Sequence, residues 1–89
     1  MMREPAVPRY YFDTDDGHGL VVDEDGQDVA SAEELRFLAL DALPDLVREA
    51  MPNGDERTFS IKVRDASGER LFEATLALTT HWLKRPDGD

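Results

Sequence analysis

The sequence predicts an α+β fold: a small antiparallel sheet of about four strands with one long helix packed on one face, in the order ββαββ. Three observations carry that reading. Residues 57–64 and 70–83 alternate apolar and polar side chains with the period of a strand, whereas residues 32–51 repeat with the period of a helix. Short clusters of Asp and Gly punctuate the segments on either side of the helix.

The first element follows Pro8, where Arg9-Tyr10-Tyr11-Phe12 has high strand propensity and the proline suits a strand's first position. The stretch from Asp13 to Gly19, with three aspartates and two glycines, turns the chain into the short apolar piece Leu20-Val21-Val22. Asp23-Glu24-Asp25-Gly26 then has Asp first and Gly fourth, as a type I turn prefers. Ser31 opens the helix, with Glu34 three residues on as the second half of a capping box, and Glu33 and Glu34 meet the positive end of the helix dipole. The helix is expected from about Ala32 to Met51, stopped by Pro52-Asn53-Gly54 and kinked at Pro44, which removes a backbone donor. In the third strand Phe59, Ile61 and Val63 share one face, and the charged and hydroxyl residues are expected to make the other face wet. After Asp65-Ala66-Ser67-Gly68 the last strand, read as Arg70 to Leu83, puts Phe72, Ala74, Leu76, Leu78 and Trp82 on one side. Its length places it near the centre of the sheet. Residues 8–83 are thus one domain between a loose arm, 1–7, and a frayed tail, 84–89.

Charge and size exclude several functions. The 89 residues hold 20 acidic and 10 basic side chains, a net charge of -10, and no cysteine. A chain this short has no room for a second lobe and a deep cleft, and thiolate chemistry is impossible. Its charge repels nucleic acid and anionic lipid, so neither is expected as a partner. No apolar run is long enough to span a bilayer, and residues 1–8 do not look like a signal peptide; a cytoplasmic protein is expected.

Seven acidic residues, Asp13, Asp15, Asp16, Asp23, Glu24, Asp25 and Asp28, fall in a stretch with no lysine or arginine. Asp13, Asp15, Asp16, Asp23 and Asp25 are therefore candidates for a divalent cation, which takes six to eight oxygens. Their spacing does not follow a calcium-binding loop: counted from Asp13 the fifth position is Gly17, and counted from Asp23 the glycine at 26 comes two residues early. The bland reading, in which these aspartates build turns, outweighs it. His18 beside Asp15 and Asp16 could act as a base, yet no nucleophile lies nearby. Ser31, Ser60 and Ser67 have structural explanations, and His81 stands alone. No enzyme activity and no cofactor are expected.

The helix carries more apolar surface than one sheet covers. Leu35, Ala39, Ala42, Leu43, Leu46 and Ala50 form the face for the sheet, and a second stripe runs through Phe37, Leu40, Pro44, Val47 and Met51. Either the first hairpin folds over that stripe or a second subunit does. Phe37, Leu40, Val47 and Met51 are the interface candidates, and the expected function is a non-enzymatic protein-interaction module, a homodimer or the partner of another protein. A cation- or small-ligand-binding first hairpin, and an acidic mimic of nucleic acid, are the alternatives.

The segments Pro8-Arg9-Tyr10-Tyr11-Phe12-Asp13, Asp16-Gly17, Asp23-Glu24-Asp25-Gly26 and Val63-Arg64-Asp65-Ala66-Ser67-Gly68 give the chain, from about Pro8 to Trp82, a pattern that resembles the family called domain of unknown function 6894. The resemblance implies a bacterial source, in keeping with the short acidic alphaproteobacterial proteins of that family, and a small stand-alone domain. It brings no catalytic residue.

Overall fold

A computed structural model describes residues 7–50 and 56–88. Five strands and one helix follow in the order β1 (Arg9–Asp15), β2 (Leu20–Val21), β3 (Gln27–Asp28), α1 (Ala32–Glu49), β4 (Glu56–Asp65) and β5 (Arg70–Thr79). All strand pairs are antiparallel. β1 and β4 lie side by side at the centre, β5 flanks β4, and β2 and β3 both pair with the far side of β1. The expected α+β class and element order are what the chain adopts, with the second arm of the first hairpin divided in two.

That division follows from register. Tyr10 faces Gln27 and Thr14 faces Val21, so three residues of β1 run opposite five of the second arm. The surplus loops out at Asp23–Gly26, where Gly26 has φ 70.

The helix starts as its sequence dictates. Ser31 Oγ accepts from the Glu34 amide at 3.1 Å, with Glu33 and Glu34 in the first turn. It runs unbroken through Pro44, and the Ala50 amide donates to Leu46 O at 3.1 Å at its end. Met51 and the stop signal Pro52-Asn53-Gly54 lie outside the described residues, as does nearly all of the expected N-terminal arm.

α1 lies across β4 and β5. Leu35, Ala39 and Leu43 meet Phe59, Ile61 and Val63 of β4 and Ala74 of β5, and Val29, whose amide donates to Pro8 O at 3.0 Å, closes one end. Each of the larger side chains contributes about 1.5–3 kcal/mol by leaving water. Leu38, Ala42, Leu46 and Ala50 pack around this core.

Three expectations fail. β5 is an edge strand: the helix returns the chain to the free side of β1, so β4 takes the central place and β5 can only pair outward. It also ends at Thr79, opposite Glu56 of β4. Trp82 therefore lies past the ladder, 65 % exposed rather than in the core, with the Arg85 guanidinium 5.9 Å from its ring. The outer face of β4 is not uniformly wet, since Ser60 is buried and Arg64 crosses to a buried Asp13 on β1.

Candidate functional site

Aspartates of the acidic hairpin act as acceptors for the hairpin's own backbone. Asp23, in the looped-out segment, takes the Phe12 amide on Oδ2 at 3.0 Å, and on Oδ1 the amides of Asp25 and Gly26, both at 3.1 Å. Its side chain thereby stands in for the ladder partner that β1 lacks between β2 and β3. Asp13 Oδ1 in turn accepts the Asp23 amide at 2.9 Å. Arg64 completes the fastening: Nε reaches Asp13 Oδ2 at 2.9 Å, Nη2 donates to Asp23 O at 2.8 Å, and the guanidinium lies 4.6 Å from the Tyr11 ring centre. A Cβ on Gly26 would come within 2.9 Å of Tyr10 O, so the loop packs against β1 only because glycine stands there.

The hairpin tip repeats the same chemistry. Asp15 Oδ1 accepts the Gly17 amide at 2.8 Å, and Asp16 Oδ1 accepts those of His18 and Gly19 at 2.8 and 3.1 Å. Arg57 ties this tip to the helix. Its Nε donates to Asp16 O at 2.7 Å, its Nη1 to Ala50 O at 3.1 Å, and its Nη2 lies 3.4 Å from Asp16 Oδ2. Between β4 and β5, Asp65 Oδ1 accepts from the amides of Ser67 and Glu69 and from the Ser67 hydroxyl.

These contacts show in the acidities. The Ser67 hydroxyl above all holds Asp65 below the ordinary carboxylate range, and the His18 amide does the same for Asp16. For Asp23, burial pushes upward, but the amides of Phe12, Gly26 and Asp25 and the Arg64 charge outweigh it. A carboxyl with a depressed folded value adds stability above its unfolded pKa, near 3.9, and loses it as the pH falls through the folded value. The melting temperature is therefore expected to stay level from pH 8 to about 5 and to drop below about pH 4. Circular dichroism melts across that range check it, and a melting point unchanged down to about pH 2.5 would contradict it.

Of the cation candidates, Asp13 and Asp23 are thus joined in one network, Asp15 and Asp16 serve the tip, and Asp25 is exposed in the loop. Among the described residues no group of three or more His, Cys, Asp or Glu side chains is placed to hold a metal ion. His18 is exposed, in a depression shared with Thr14, Asp16, Glu49 and Arg57, where the Asp16 and Arg57 charges face each other. His81 is exposed past the end of β5.

The helix stripe has a different fate. Phe37 is 63 % exposed, Leu40 and Pro44 are exposed, and Val47 packs partly against the core. The first hairpin pairs along β1 and does not shield Phe37, which corrects the first of the two coverings weighed above. Sequence reading missed Arg57 and Arg64. The signal for Arg57 was present, since it precedes Phe59 by two in the alternation and so belongs to the apolar face. Arg64 could be matched to Asp13 only once the β1–β4 register was known.

The family profile Domain of unknown function (DUF6894) matches residues 9–77, from the first residue of β1 nearly to the end of β5. The chain belongs to this family. No curated protein and no solved structure matches it. The DUF6894 match covers the hairpin network, the helix and the β4–β5 pair, and stops before Trp82. No helix of the described residues is long and apolar enough to cross a membrane.

Proposed function

We propose that this DUF6894 protein is a non-enzymatic protein-interaction module that works as a homodimer, with Phe37 and Leu40 on the back of the helix as a contact surface for protein. The observation that carries this reading is the exposure of Phe37, a large aromatic on the helix that none of the other described residues covers. The carboxylates favour it as well. Asp13, Asp16 and Asp23 accept hydrogen bonds that hold the hairpin together, so these three carboxylates are already engaged within the chain.

Phe37→Glu tests the surface. Because the ring is outside the core, the variant is expected to fold, with a melting temperature within a few degrees of the parent, and to lose a protein contact that the parent makes. Circular dichroism and binding by a folded parent and variant side by side read both effects. Collapse of the fold would show that Phe37 is core after all, and unchanged association would remove the stripe from the interface.

A further inference from the structure

The two edges of the sheet are built differently. The β2–β3 edge consists of two-residue pieces separated by a looped-out, acidic segment, the kind of interruption that keeps strands from pairing with other chains. β5 has few such protections. It runs for ten residues and pairs with β4 alone among the described strands. It lacks proline and lysine, and Glu73 is its one charged residue after Arg70. A bulge disturbs only its first residues, beside Leu71. On the helix side of this edge Leu76 is 45 % exposed.

We propose that the second copy in the homodimer pairs antiparallel along β5, edge to edge, and that each copy's Trp82 seats in a cleft of the other. The inference rests on the homodimer in the functional reading above, and gives that dimer a surface other than the Phe37 stripe. Antiparallel self-pairing about Thr75 is self-complementary. It sets Leu76 beside Ala74 and Leu78 beside Phe72 of the second copy, keeps apolar side chains on the helix side, and brings no like charges face to face. Two bodies of net charge -10 repel, and this nearly neutral strand is a place where they can approach.

The same register carries Trp82 past the start of the second copy's β5. There the structure has an apolar cleft of about 460 Å³ between the helix N-terminus and the β5 bulge, lined by Pro8, Tyr10, Leu35, Leu71 and Phe72 among others. Trp82 lies three residues past the end of β5 and is 65 % exposed, and antiparallel pairing brings that end of one copy to the start of the other copy's β5, where the cleft opens. One copy thus offers an exposed indole where the other offers an apolar cleft, and the two-fold axis makes the exchange reciprocal.

Sedimentation velocity on the full chain, with Leu76→Lys and Trp82→Ala, tests this. The parent is expected to sediment as two chains at tens of micromolar. Leu76→Lys, whose ammonium can reach water from the edge, should be folded and one chain. Trp82→Ala should weaken the dimer about 30-fold, as loss of an aromatic anchor does. Since Trp82 is the only tryptophan, its emission should shift to the blue as the parent is concentrated. If Leu76→Lys fails to fold, Trp82→Ala and the emission still decide, because Trp82 lies outside every strand. A dimer that persists in both variants but is lost in Phe37→Glu overturns the β5 pairing and leaves the homodimer on the helix stripe. A parent that stays one chain at every concentration overturns the pairing and the homodimer together.

Discussion

Asp13→Ala is expected to lower the unfolding free energy by about 2–3 kcal/mol, a fall of roughly 10–20 °C in melting temperature for a domain of this size. Asp13 is 4 % exposed and accepts both from Arg64 and from the Asp23 amide. Alanine leaves a guanidinium and a backbone donor without their acceptor and frees the loop that Asp23 anchors. Because the Arg64 side chain remains about a quarter exposed, at 24 %, the loss is set below that of a fully buried ion pair. Asp13→Asn keeps one acceptor and the side-chain shape, so its loss should be the smaller of the two. Urea unfolding of the three proteins measures this, and a loss under about 0.5 kcal/mol for alanine would show that the network does not hold the hairpin.

Phe59→Ala should cost more, about 3–5 kcal/mol. The ring is fully buried at the centre of β4, and eight apolar residues are buried in all among those described. At ~0.05–0.15 kcal/mol per residue, a chain of this length has roughly 4–13 kcal/mol in total, so one substitution removes a large share. At the lower end of that range the variant is unfolded at room temperature. Far-ultraviolet circular dichroism with urea titration reads the outcome, and a loss below about 1 kcal/mol would mean that the core is packed elsewhere.

Local rules made most of the fold legible. The Ser31 cap, the helical repeat of Leu35, Ala39 and Leu43, and the alternation of Phe59, Ile61 and Val63 each act within a few residues, and each appears as read. What failed depends on pairing between distant segments. The length of the last apolar alternation suggested a central strand, but position in the sheet is decided by where the helix delivers β4, and β1 had a free side to receive it. Trp82 followed the alternation on paper and left the core because the ladder ends at Thr79. The aspartate turns were readable as turns. That Asp13, Asp23 and Arg64 meet required the register of three strand pairings, as did the loop that makes Asp23 a substitute ladder partner.

In the proposed function, apolar surface on the back of the helix and along β5 meets other chains, and the network of Asp13, Asp23 and Arg64 at the hairpin has an internal role. A concentration series of amide nitrogen–proton correlation spectra, from about 20 μM to 1 mM in physiological salt, addresses both parts residue by residue. Shifts that grow with concentration at β5, Trp82 or the Phe37 turn of the helix, with Asp13 to Asp28 unmoved, are the expected result. Spectra that superimpose throughout, or movement confined to the acidic hairpin, would contradict it.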